Sequence, residues 1–119
     1  MKEIIAIIRP AKSFATKNAL ADNGFFALSN YTVFGKGMGV SCAAEINDKE
    51  KEEKGILAPQ MHAKTLIDIY VMDADVKTVI DTIVKVNKTD SHGNGKIFVI
   101  PCESICRIRT GEENENAIL

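Results

Sequence analysis

Two stretches of this chain are apolar on consecutive positions: KEIIAIIR at 2–9 and, apart from Asp68, TLIDIYVM at 65–72. A strand with one wet face alternates apolar and polar residues, so an unbroken apolar run marks a strand covered on both faces. The fold must therefore cover both sides of a sheet, and the rest of the chain offers few elements to do so. Pro10 closes the first run, Ser13 is placed to cap a helix reaching about Asn23, and Gly24 suits its end. Residues 25–35, FFALSNYTVFG, are aromatic and β-branched and read as a second strand. Beyond the run at 65–72, Asp73 or Asp75 caps a second helix. Its residues Val76, Val79, Ile80, Ile83 and Val84 recur at helical spacing as far as about Asn87. A polar loop, KTDSHGNGK at 88–96, leads to a strand IFVI at 97–100, which Pro101 ends. ICRIR at 105–109 reads as a short alternating extended piece, and TGEENENAIL as a loose tail.

The order is β-α-β, a long connection, then β-α-β. Two similar halves joined in the middle predict an α+β, ferredoxin-like βαββαβ sandwich over residues 1–119, a single domain. Two helices cover only one face of four strands. The doubly apolar strands therefore predict that the other face is covered by further copies of the chain. Residues 36–63 have no sustained apolar period, and Asp48 to Lys54 are seven consecutive charges. Connections longer than about 12–15 residues are usually functional or disordered.

Composition removes several classes. Fifteen Lys and Arg against sixteen Asp and Glu leave a net charge of −1, which argues against a dedicated duplex-DNA binder. No run approaches the roughly 20 apolar residues of a membrane span, and MKEIIAIIRP lacks the pattern of a secretory leader. Cys42, Cys102 and Cys106 are odd in number and form no CxxC, so neither a disulfide framework nor a zinc site is indicated, and the cytoplasm is the expected compartment.

The candidate chemistry is anion binding. Gly93-Asn94-Gly95-Lys96 combines glycines, which let backbone amides approach an anion, with a lysine charge. By itself the turn reads as readily as a tight turn with an exposed lysine, and it lacks the spacing of a Walker A loop. Arg107 and Arg109 are two apart on a segment read as extended, which would aim both guanidinium groups one way, toward a phosphate chain. Surface arginines bound to acidic neighbours are the bland alternative. Gly35, Gly37 and Gly39 stand where the long connection leaves the second strand, as a hinge or part of the same anion site. Asp68 interrupts an apolar strand and needs a hydrogen-bond partner or water. No nucleophile with a base and no paired carboxylates are visible, so a small enzyme on this fold is disfavoured. An RNA-binding module of the same strand order would need stacking aromatics that TLIDIYVM lacks.

With these residues in view the chain resembles the PII signal-transduction family over nearly its whole length, apart from the middle of the long connection. MKEIIAIIRPAK is similar to the family's first strand, TDSHGNGKIFVIP to its B-loop and RIRTGE to its C-terminal signature. The resemblance implies a homotrimer in which ATP and ADP compete for clefts between subunits. It implies a T-loop at about 36–63, a B-loop at about 88–96 and a C-terminal loop at about 102–119. In typical members ATP supports a magnesium-dependent site for 2-oxoglutarate at the T-loop base. The T-loop then docks on a protein partner: an ammonium channel, an enzyme of nitrogen metabolism or nitrogenase. IVKVNKT at 83–89 resembles the nitrogenase-associated members.

Carried over by position, the resemblance assigns Gly93, Asn94, Gly95 and Lys96 to the phosphates, with Asn94 in place of the usual aspartate. It assigns Arg107 and Arg109 to the two arginines that reach the nucleotide phosphates from the neighbouring subunit. Ile7, Ser29, Gly35 and Gly37 line the nucleotide, and Asp68 lies near the adenine and ribose. Lys64 pairs with the 2-oxoglutarate carboxylate. Gly39 stands where the family has a glutamine that helps hold magnesium and 2-oxoglutarate, and a glycine has no side chain to coordinate either. The alternative expectation is an adenylate sensor with a different effector and partner. No tyrosine lies between Lys36 and Lys64, so the tyrosine modification of some members has no acceptor there.

Overall fold

The computed structural model describes residues 1–37 and 61–119. Gly39, Cys42, the charge run at 48–54 and nearly all of the expected T-loop lie outside the described residues. The strands are β1 (Lys2–Ile8), β2 (Ser29–Gly35), β3 (His62–Val71) and β4 (Lys96–Pro101). The helices are α1 (Ser13–Asp22) and α2 (Val76–Asn87). The sheet order is β2-β3-β1-β4 and every pairing is antiparallel. This is the ferredoxin-like arrangement expected from the order of elements.

The two apolar runs become the two central strands, paired from Lys2↔Val71 to Ile8↔Thr65. Side chains alternate across a strand. Ile4, Ala6 and Ile8 of β1 and Ile67, Ile69 and Val71 of β3 therefore share one face, where they are buried with Leu20 of α1 and Val79 and Ile83 of α2. The alternate set, including Ile5, Ile7, Leu66, Phe98 and Ile100, lies on the other face, which no helix among the described residues covers and where Phe98 is 45% exposed. A polar tie joins the helices inside the core. Asn87 Nδ2 donates to Thr16 Oγ1 (3.0 Å), and Thr16 donates to the Lys12 carbonyl (2.7 Å).

Several local expectations change. Ser13 is the first residue of α1, not its cap; a 3₁₀ turn at Pro10–Lys12 feeds the helix and no side chain caps it. Likewise, Asp75 precedes α2 without a side-chain capping bond, after a 3₁₀ turn at Asp73–Asp75. The second strand begins at Ser29 rather than at 25. The amides of Gly24 (φ +87°) and Phe25 bond back to the Ala21 and Leu20 carbonyls, closing α1 in a left-handed cap that only glycine adopts without strain. Phe25 and Leu28 then pack on the core edge.

The C-terminal segment is neither extended at 105–109 nor loose beyond. Cys106 bridges Glu113, and a 3₁₀ turn covers Asn114–Ala117. Ile105 and Asn114 are joined by the Asn114 amide to the Ile105 carbonyl (2.7 Å) and by the Ile105 amide to Asn114 Oδ1 (3.3 Å). Asparagine tolerates the positive φ of 54° that this closure needs.

Candidate functional site

At one end of the open face, β1 and β4 pair through Ile7↔Lys96, and the loop before β4 folds back over that end. Gly95 (φ +109°) passes so close to β1 that a Cβ there would lie 1.8 Å from the Ile7 carbonyl oxygen. Gly93 (φ +89°) faces Arg9 and Lys64. Arg9 Nη2 donates to Ser91 Oγ (3.1 Å) and to the His92 carbonyl, and Lys64 Nζ donates to the Gly93 carbonyl (3.0 Å). Asn94 does not point outward as a ligand group. Its amide donates to the Thr89 carbonyl (2.9 Å) and its Oδ1 accepts from the Thr89 hydroxyl (2.7 Å), so it sets the width of the loop. Lys96 makes no hydrogen bond or ion pair among the described residues, which leaves its ammonium available.

Ser29 and Asp68 sit opposite each other in the β2–β3 pairing. They line a groove of about 600 Å³ with Leu28, Tyr70, Cys102, Ser104, Ile105 and Ile118. Glu3 pairs across from Tyr70, which donates to Glu3 Oε2 (2.8 Å). Asp68 Oδ1 is buried with no partner among the described residues. Burial, then hydrogen bonding to Glu3, then the Glu3 charge push the Asp68 carboxyl from 3.8 up to about 6. The hydrogen bond from Tyr70 to Glu3, followed by burial, pushes Tyr70 up to about 12.

A raised carboxyl pKa means that the folded chain holds the proton more tightly than the unfolded one. Its contribution to stability is full below pH 3.8 and is lost as pH rises through 6. Urea unfolding midpoints are therefore expected to fall between pH 4 and pH 7, and Glu3→Gln to narrow that fall. An unchanged fall in Glu3→Gln would remove Glu3 as a cause.

The sequence-derived residues thus form separate groups. Ile7, Lys64 and Gly93 to Lys96 meet at one end of the face. Ser29 and Asp68 lie further along it, four residues from Lys64 on β3, or about 13 Å. Gly35 ends β2 opposite His62, and Gly37 follows it. Arg107 and Arg109 are not aligned on one strand face. The Gly111 amide bonds to the Arg107 carbonyl (2.8 Å), so the backbone turns between them. Arg107 is held by the Glu112 carboxylate and the Leu119 carbonyl, its bland alternative, whereas Arg109 makes no hydrogen bond or ion pair among the described residues. Sequence reasoning missed Arg9, Thr89 and the Glu3–Tyr70 pair as parts of this surface. Only the Arg-Pro step after β1 hinted at the first; the others depend on strand register.

Comparison with known proteins gives one consistent answer. A family model described as nitrogen regulatory protein P-II matches residues 1–112. A Methanobacterium ivanovii protein named nitrogen fixation nifHD region GlnB-like protein 2 is 43% identical, with all of both chains covered. Nitrogen regulatory protein P-II 2 of Methanothermobacter thermautotrophicus is 40% identical, over 99% of this chain and 97% of that one. In structure, Arabidopsis thaliana PII bound to citrate is similar with a TM-score of 0.76 and 28% identity, covering 98% of this chain and 88% of that one.

Proposed function

The chain belongs to the nitrogen regulatory protein P-II family, a family of regulators rather than enzymes with nifHD-region members among this chain's relatives, and we propose that it senses adenine nucleotides for a partner protein. ATP and ADP compete for one site, and the nucleotide bound sets the conformation of the T-loop. Differential contacts in the two states supply the switching energy, with no turnover required. The partner belongs to nitrogen metabolism, with nitrogenase favoured over an ammonium channel or a metabolic enzyme by the names of the relatives. The working compartment is the cytoplasm.

One observation carries this reading: the glycine loop before β4 is pressed onto the Ile7 carbonyl with Lys64, Arg9 and Lys96 around it. Loop amides and cations together suit a phosphate chain. The groove at Ser29 and Asp68 suits the base, and it lies about 13 Å away along the same face. Neither Arg107 nor Arg109 bonds to the glycine loop among the described residues. A site using all of these groups is completed by neighbouring copies, which supports the homotrimer and would cover the open face.

Titration calorimetry with ATP tests the reading. Saturable binding competed by ADP is expected, and no binding at millimolar ATP would overturn it. Repeating the titration with magnesium and 2-oxoglutarate tests a second reading, favoured by Gly39, in which 2-oxoglutarate is not the effector. ATP affinity is then unchanged by the acid, whereas tightening would show that another group replaces the missing glutamine.

A further inference from the structure

Arg9 and Lys64 hold two consecutive peptide groups from one side, through the carbonyls of His92 and Gly93. A trans peptide is planar, so its N–H points opposite to its C=O. No cis peptide occurs among the described residues. The N–H groups of Gly93 and Asn94 therefore point away from the two cations, and neither meets an acceptor among the described residues. A carbonyl bonded to a full positive charge also polarises its peptide, which strengthens the N–H as a donor.

The Thr89–Asn94 pair sets the loop's width but bonds neither of these carbonyls. Arg9 is the only group among the described residues that bonds the His92 carbonyl. The adjoining Gly93 has the backbone freedom to let that peptide turn over. A turned peptide would aim a carbonyl oxygen at the ligand side, where an anion would be repelled.

We propose that Arg9 is a positioning residue: it acts on the glycine loop rather than on the ligand, and turns the amides of Gly93 and Asn94 toward the phosphates of a bound nucleotide. The inference rests on the nucleotide reading and adds which part of the nucleotide depends on Arg9. The phosphate chain depends on it; the nucleoside does not.

The test compares wild type, Arg9→Gln and Arg9→Lys in binding ATP, by calorimetry, and adenosine, by NMR titration. Arg9→Gln is expected to weaken ATP about tenfold, the loss of one charge-assisted arrangement, and to leave adenosine within about twofold. Arg9→Lys keeps the charge but loses the planar fork, so it is expected to fall between the other two, with amide resonances of Gly93 and Asn94 shifted in both variants. If Arg9→Lys matches wild type while Arg9→Gln is weak, only the charge matters and the positioning role is overturned. If both variants lose adenosine and ATP alike, Arg9 merely supports the fold, which also overturns it. ATP binding unchanged in both variants sinks this inference alone. A wild type that binds no ATP sinks the nucleotide reading with it.

Discussion

Gly95→Ala is expected to destabilise the protein by about 3–5 kcal/mol and to abolish ATP binding in whatever remains folded. The new Cβ would lie 1.8 Å from the Ile7 carbonyl oxygen and 2.9 Å from its carbon, both backbone atoms of a central strand. Relief requires β4 to move off β1 at the Ile7↔Lys96 pair, where the loop joins the sheet. The φ of +109° adds strain for any residue with a Cβ. Gly93→Ala is the control. Its Cβ would meet Arg9 Nη2 at 3.4 Å and Lys64 Nζ at 3.7 Å, the far ends of flexible side chains. Left-handed strain alone remains, about 1–2 kcal/mol. Urea unfolding of the two variants separates them, and equal losses would show that the close approach to Ile7 is not what requires glycine at 95.

The second large effect concerns adjacent residues on β3. Ile67 is fully buried between the sheet and the helices. Ile67→Ala removes that packing and leaves a cavity, at a cost of about 3–4 kcal/mol. Leu66 is half-buried on the face that no helix among the described residues covers. In an isolated chain Leu66→Ala would cost only about 1 kcal/mol, because water already reaches much of the side chain. In the proposed homotrimer Leu66 is covered by another copy, so the loss is expected to approach that of Ile67→Ala. Its unfolding midpoint is then expected to depend on protein concentration, as it does when folding is linked to assembly. A small loss that is the same at every concentration would count against an assembly through this face.

How much of this was legible beforehand follows the range of each interaction. The order of strands and helices came through because the apolar runs of β1 and β3 and the stripe of α2 are local periodicities. The glycine loop came through because GNGK before an apolar strand is also local. What misled was local too: Ser13 and Asp75 look like caps, yet the preceding 3₁₀ turns satisfy the chain without their side chains. The 105–109 segment alternates like a strand, but the Asn114–Ile105 bonds and the Arg107–Glu112 pair fold it into a turn.

The sequence by itself determined a two-layer α+β fold, an apolar second sheet face and a glycine loop before the last strand, since each rests on local residue spacing. Only the tertiary structure decided which groups stand together: Arg9 with His92, Lys64 with Gly93, Asp68 with Glu3 and Tyr70, and Gly95 against Ile7. Apart from Asp68 and Tyr70, these partners are tens of residues apart. Their meeting depends on strand register and loop closure, which the packing of the whole chain selects and no local pattern records.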